Sequence, residues 1–408
     1  MGNRLHKRLP TGVQALALLV IVLVMTSTNV LSAAESRSAS SLFRGNPART
    51  GEQPGPGPRN EPQELWQVTL DAPLLSSVIV AEGVAYVKAW GETLRALHAE
   101  TGKEIWSFAT GGLDTAPAVV GGVVYAGGSN QEETQGTLYA LDAKSGQEIW
   151  RHETAYALSD SSPVVVDGVV YIGGGNGDET GGALYAVDAA SGEEVWTFDA
   201  GMPIWSSPAV AKGVVFVGGG GLEWGRGALF AIDADGGDEV WRFEVNDGAV
   251  VTSPAVSNGL VYATSSSLYA IDAKSGEEVW THADEKDSFD TAPAVVDDVV
   301  YVGGSKLVAL DADTGETVWT FTDAGAYVAS PVVADGVIYA GTYHAELLAI
   351  DAESGKERWR FRVEIKGSAG ERQIESSPAV IDGVIYFGSF VTEADQASGM
   401  VHAIGVTR

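Results

Sequence analysis

The stretch LYALDAKSGQEIW, Leu138–Trp150, places Asp142, Lys144 and Ser145 within four residues and ends on a tryptophan. An acid, an amine and a hydroxyl this close suggest a reactive cluster. Recurrence says otherwise. LRALHAETGKEIW ends at Trp106, LYAVDAASGEEVW at Trp196 and LFAIDADGGDEVW at Trp241. LYAIDAKSGEEVW ends at Trp280, LVALDADTGETVW at Trp319 and LLAIDAESGKERW at Trp359. Successive tryptophans stand 39 to 46 residues apart. A period in this range marks a repeat architecture, in which each repeat is one supersecondary unit. Lys144 becomes Glu, Ala or Asp in other copies, so it is surface, and a catalytic triple has no reason to be copied in every unit.

A second motif alternates with the first. SSPVVVDGVVYIGG begins at Ser161, with related copies at Ser76, Thr115, Ser206, Thr252, Thr291, Ala329 and Ser376. There are thus eight copies of this motif against seven of the other. The chain ends account for the difference. ELWQV around Trp66 is a final strand without its unit, and MVHAIGV at 400–406 is a unit without its tryptophan. Pairing the two completes an eighth unit and removes two sheet edges. Each unit reads as four short strands: Pro-Ala/Val-Val, Val-Val-Tyr, Leu-Tyr-Ala-Leu and the tryptophan strand. Asp-Gly at 167–168, 335–336 and 382–383 suits a tight hairpin needing positive φ. The third strand is apolar on both faces, so its sheet is covered on both sides. The expected fold is all-β: an eight-bladed β-propeller of four-stranded antiparallel blades. Within the quoted stretch, Asp142 and Gly146 shape a turn. Ala140 has an alanine counterpart in every unit and is expected to mark the crowded contact where a neighbouring blade's tryptophan docks.

Composition sets the other bounds. Of 408 residues, 54 are acidic and 25 basic, for a formal charge of −29. Such a field disfavours nucleic acid and anionic membranes as partners. There is no cysteine, which excludes disulfides, thiolate metal sites and a lipidated N-terminal cysteine. Residues 1–34 read as an export signal, with Arg4, Lys7 and Arg8, an apolar run from Ala15 to Met25, and small residues at Ser32, Ala33 and Ala34. An uncleaved N-terminal anchor is the alternative. Residues 35–63, rich in Ser, Pro, Gly and Arg, are expected to form a leader or linker. Residues 64–408 are expected to form one domain, exported and monomeric.

The signature Leu-x-Ala-aliphatic-Asp-Ala-x-Ser/Thr-Gly-x-Glu-x-Trp resembles the repeat of pyrroloquinoline-quinone-like (PQQ-like) propellers. The resemblance covers residues 64–406, and SLFRGNPARTG at 41–51 is similar to segments preceding such propellers. It implies the fold. It also implies a choice, since members range from quinone-dependent dehydrogenases to a scaffold lipoprotein of outer-membrane β-barrel assembly. PQQ with Ca²⁺ belongs to the first branch; no cofactor is expected here, and no catalytic residue carries over.

Function is expected where the repeat breaks. The loops after second and fourth strands share one face and vary in length and chemistry. Trp90, Tyr156, Trp205, Trp224, Phe289, Tyr327, Tyr343 and His344 fall there and depart from the repeat. Aromatic residues in variable loops suit partner anchoring or plugging of the channel. Asn176, Asp178 and Glu179 are the candidate oxygen ligands for a cation. The expectation is a non-catalytic module that binds a protein, peptide or glycan. A quinone-dependent oxidoreductase and a barrel-assembly scaffold are the alternatives.

Overall fold

The computed structural model describes residues 42–406 apart from 92, 113–114, 131, 133, 159, 178–179, 222–224, 285–287, 365–370 and 394–395. Eight antiparallel sheets follow one another along the chain. Their innermost strands, which number the blades 1 to 8, are Ile79–Ala81, Ala118–Val120, Val164–Val166, Ala209–Ala211, Ala255–Ser257, Ala294–Val296, Val332–Ala334 and Ala379–Ile381. Blade 2 shows the pattern: Ala118–Val120, Val123–Ser129, Gly136–Asp142 and Glu148–Thr154, each paired with the next. In blade 8 the outer strand is Gln63–Leu70, which pairs antiparallel with Gln396–Gly405 and closes the ring. The second and third strands of that blade, Val384–Glu393 and Gln396–Gly405, are longer than the rest, and Glu371–Gln373 adds a fifth strand beside them. At the closure His402 is fully buried, stacked 4.8 Å from Phe387 and bonded to Ser389 Oγ at 2.7 Å.

The turn at Asp142–Gly146 is built as its residues dictate. The Asp142 carboxylate accepts the Ser145 N–H and hydroxyl at 2.8 and 2.7 Å. The docking partner of the tryptophan differs from expectation. Ala140 pairs across the sheet with Trp150 and Tyr125 of its own blade, so its small side chain makes room inside the sheet. A tryptophan from the blade before lies instead on the turn. Trp150 Nε1 donates to Ala189 O at 3.1 Å, and a Cβ on Gly192 would stand 2.7 Å from its ring. The quoted turn receives Trp106 in the same way, through Ala143 O and Gly146. Seven tryptophans repeat this bond to the next blade's alanine carbonyl at 2.8–3.1 Å.

Serines knit the inner ends. Ser161 and Ser206 Oγ accept the N–H of Gly173 and Gly218 in their own blades. The next serine accepts a backbone N–H from the preceding blade: Ser162 from Ala116, Ser207 from Ser162, Ser253 from Ser207. The Ser-Ser-Pro motif thus ties a blade to itself and to its neighbour.

Residues 42–58 do not form a linker. An innermost strand has no neighbour on its axial side, so its N–H groups need acceptors. The leader supplies them. The carbonyls of Pro47, Ala48, Thr50 and Gly51 accept from Val210, Val256, Val295 and Val333 at 2.8–2.9 Å, in blades 4, 5, 6 and 7 in turn. The chain then leaves the axis. Pro56 O accepts from Gly383, and Pro58 O accepts from Trp359 Nε1 at 2.9 Å. Trp359 faces blade 8, whose third and fourth strands come from opposite chain ends and share no turn, and Pro58 replaces the missing alanine carbonyl. Gly57 passes beneath Tyr339, whose hydroxyl would lie 1.9 Å from a Cβ there. At the axis Arg49 is fully buried, with its guanidinium bonded to the carbonyls of Pro208, Phe43, Ser162 and Pro163 at 2.6–3.1 Å.

Three outcomes follow. Trp150 is part-buried against the next blade, so Trp150→Ala lowers unfolding free energy by up to ~3–5 kcal/mol, the range for a large aromatic, and Lys144→Ala leaves it within ~0.5 kcal/mol; urea denaturation reads both. Arg49→Ala strands buried carbonyls and costs at least ~2–3 kcal/mol in the same assay. The third concerns acid. Hydrogen bonds from Ser354 and then Arg358 hold the Asp351 carboxyl at about 2; the matching turn hydroxyls lower Asp142, Asp188 and Asp311, and the Ser275 N–H and then its hydroxyl lower Asp272. An unfolded Asp titrates near ~3.9. This stabilisation is therefore complete above about pH 4 and lost as pH falls toward 2. Denaturation midpoints fall across that window, and less steeply in Asp351→Asn; a flat profile contradicts the turn assignment.

Candidate functional site

The loops after the second and fourth strands share one face of the ring. On this face, the residue just ahead of the Ser or Thr (Ala329 in blade 7) that opens the motif before each innermost strand occupies the same place in the repeat of every blade. Rotational repetition therefore sets these residues in a ring at the channel mouth. The ring includes acids at Asp160, Asp290 and Glu375, aliphatics at Leu75, Val251 and Val328, and Trp205. Asp114, the eighth member, lies outside the described residues. Burial pushes the Glu375 carboxyl up. Lys88 stands just below the mouth in blade 1, where most blades have glycine. It is fully buried and donates to Gly127 O at 2.8 Å. The single-letter pattern signals it as a lysine in a glycine position, which the search for odd aromatics passes over.

The seven aromatic and histidine candidates among the described residues do not assemble into one site. Tyr156 and Trp205 gather around the second hairpin of blade 3: Tyr156 N donates to Tyr185 Oη at 3.1 Å, and a Cβ on Gly181 or Gly175 would meet the Tyr156 hydroxyl or the Trp205 indole nitrogen at 2.8 and 3.2 Å. Tyr327, Tyr343 and His344 gather four blades away, at blade 7, where Tyr343 N donates to Ala326 O and its ring lies 6.2 Å edge-on from His344. Two candidates are interior. Phe289 is 2% exposed and packs 5.9 Å from His282, and Tyr327 is 1% exposed. Their departure from the repeat reflects loop packing, so neither ring is open to a partner. Tyr327 Oη also lacks a hydrogen-bond partner, and burial raises its pKa. The open rings are Trp90, 48% exposed, and Tyr343, 41% exposed, with Tyr156 and Trp205 part-buried. Trp90 is held through its backbone, its N–H on Pro73 O at 2.9 Å. Trp224, Asp178 and Glu179 lie outside the described residues. Asn176 N donates to Gly181 O in a hairpin turn.

Beside Tyr327, Glu346 is buried and bridged by Arg360 at 2.8 Å and Arg362 at 2.6 Å. Arg360 also holds Glu357 at 2.6 Å. This set braces the third and fourth strands of blade 7 beneath the Tyr343–His344 turn.

Known structures share this architecture. A quinohemoprotein alcohol dehydrogenase from Pseudomonas putida HK5 superposes with a TM-score of 0.76 at 15% identity, over 93% of this chain and 82% of that one. A europium-containing methanol dehydrogenase gives 0.74 at 13%, over 91% and 98%. BamB from Moraxella catarrhalis gives 0.61 at 19%, over 84% and 100%. At these identities the likeness shows the fold. No curated protein matches the sequence.

The dehydrogenases raise the question of a quinone and its metal. The described residues do not fit them. Among these residues no three His, Asp or Glu side chains converge as a metal site. A tricarboxylate quinone needs several cationic or N–H donors, whereas the described mouth residues are three carboxylates, three aliphatic side chains and the single indole of Trp205, and Lys88 is fully buried on Gly127 O. A family model described as outer membrane protein assembly factor BamB matches residues 60–180, 180–285 and 264–405, and so nearly every blade. The chain belongs to that family of PQQ-like propellers.

Proposed function

We infer that this chain is a non-catalytic scaffold of the cell envelope, one that holds a protein partner of outer-membrane barrel assembly on its irregular face. One observation carries the reading: the axis, the natural ligand hollow of a ring, is filled by the chain's own leader, while Trp90 and Tyr343 stand open on the surrounding face. Large exposed aromatic rings set apart on different blades suit a polypeptide spread across the face better than a small molecule in a cleft. The family model that matches the chain is described by the same assembly role. The N-terminal signal agrees with export, and among the described residues no helix is long and apolar enough to cross a membrane. With no cysteine to lipidate, attachment to a membrane falls to residues 1–34 or to the partner.

The test uses purified protein and the purified barrel-assembly component of the same cell envelope. Titration calorimetry should show binding that Trp90→Ala and Tyr343→Ala each weaken about tenfold, the size of a hot spot near 1.4 kcal/mol. Binding unchanged in both variants rules out this face. Dye reduction with alcohols or sugars after adding PQQ and Ca²⁺ would overturn the scaffold reading in favour of an oxidoreductase.

A further inference from the structure

Arg44 and Arg49 carry two positive charges into the axis of a chain whose net charge is −29. Arg44 is 3% exposed and Arg49 fully buried. Carbonyl oxygens accept from five of the pair's six guanidinium nitrogens: Arg44 Nε bonds to Arg49 O at 3.2 Å and Nη2 to Pro293 O at 2.6 Å, and all three of Arg49 bond to the carbonyls of Pro208, Phe43, Ser162 and Pro163. Among the described residues no carboxylate holds either guanidinium. Desolvation lowers both to about 9, and Arg49 also feels the charge of Arg44. Both therefore stay protonated at neutral pH. Neutral carbonyls satisfy the hydrogen bonds and leave two buried charges uncompensated, which is costly in a low-dielectric interior.

The sixth nitrogen has no acceptor among the described residues: Arg44 Nη1 is buried without a partner there. Arg44 lines a small cavity at the axis, whose other polar side chains are Gln53, Ser77 and Ser377, among aliphatic and aromatic ones. Two of these polar groups keep a donor that no hydrogen bond among the described residues uses. Gln53 Oε1 accepts the Val380 N–H, which leaves Nε2 to donate, and Ser77 Oγ accepts the Ser377 N–H at 3.1 Å, which leaves its proton free. The cavity has room for about one water-sized particle. A water molecule would satisfy Nη1 and leave the charge; a small anion answers both.

We propose that this axial cavity is a binding site for one halide-sized monovalent anion, held on Arg44 Nη1 with support from Gln53 and Ser77. The anion joins the leader to blades 1 and 8, on the side of the axis where the leader's backbone bonds to blades 4 to 7 do not reach. It binds the folded ring alone, so it stabilises the fold by mass action.

The test is independent of any partner. Thermal unfolding of the full chain is compared in sodium chloride, sodium bromide and sodium gluconate at equal ionic strength. Chloride and bromide should raise Tm saturably by about 2–4 °C over gluconate, and Arg44→Gln should abolish the difference. Crystals soaked in sodium bromide should show an anomalous peak beside Arg44. Equal Tm in the three salts, or no bromide at Arg44, overturns the site and leaves water as the occupant. If Arg44→Gln does not fold, Ser77→Ala replaces it, with at least a threefold rise in half-saturating chloride expected; an unchanged value counts against the site.

Discussion

The tryptophan of each outer strand, bonded to a turn carbonyl on the next blade, is the contact on which the ring depends. It combines two kinds of interaction. The indole covers a glycine whose missing Cβ is what lets it approach, and its N–H finds a turn carbonyl that also accepts a tyrosine hydroxyl of the tryptophan's own blade. The turn can offer that carbonyl because the Asp142 carboxylate has already captured the Ser145 N–H and hydroxyl. Local hydrogen bonding thus prepares a surface for a long-range contact. Since the acceptor belongs to the following blade, each unit is incomplete alone, as in other repeat folds whose units bury a face only by stacking.

A ring made this way has two faults, one at its seam and one at its axis. At the seam, blade 8 takes its outer strand from the start of the chain and has no turn to offer Trp359. At the axis, eight innermost strands show unpaired edges to a channel. One segment repairs both. Residues 47–51 satisfy the axial N–H groups of four blades, and Pro58 gives Trp359 its acceptor. The composition of the leader follows from that path. Proline and glycine suit a chain that must offer carbonyls without forming a strand of its own, and Gly57 passes where any side chain would strike Tyr339. Arginines at 44 and 49 fill a pore whose rim is carbonyl oxygen.

The legibility of these features in the sequence depends on what kind of partner each residue has. The blades were readable because their partners are side chains and turns repeated in phase: Asp167 and Gly168 both have positive φ, at 50° and 80°, as the Asp-Gly turn requires. Ala140 was read as the docking point since periodicity marks a small residue without saying which blade presses on it. The leader was opaque for a different reason. It binds backbone N–H groups, which every residue owns, so no side-chain pattern betrays the pairing. Arg44 and Arg49 stand among glycine and proline with Glu52 close by, and nothing in that pattern marks them as interior. Phe289 and Tyr327 show the limit of reading departures from a repeat: a loop that must pack its own interior breaks the pattern as surely as one that binds a partner.

Plugging the axis changes where recognition can occur. In an open ring, the funnel above the channel is the deepest concavity and would draw a small ligand toward the centre. Here the leader's guanidiniums and carbonyls close the channel, while the mouth ring of Asp160, Asp290 and Glu375 keeps a negative rim around it. Apolar side chains remain both at the mouth, in Leu75, Val251, Val328 and Trp205, and further out, on turns such as those of Trp90 and Tyr343, which different blades hold. Trp90 and Tyr343 belong to separate blades, so the closure of the ring fixes the distance between them.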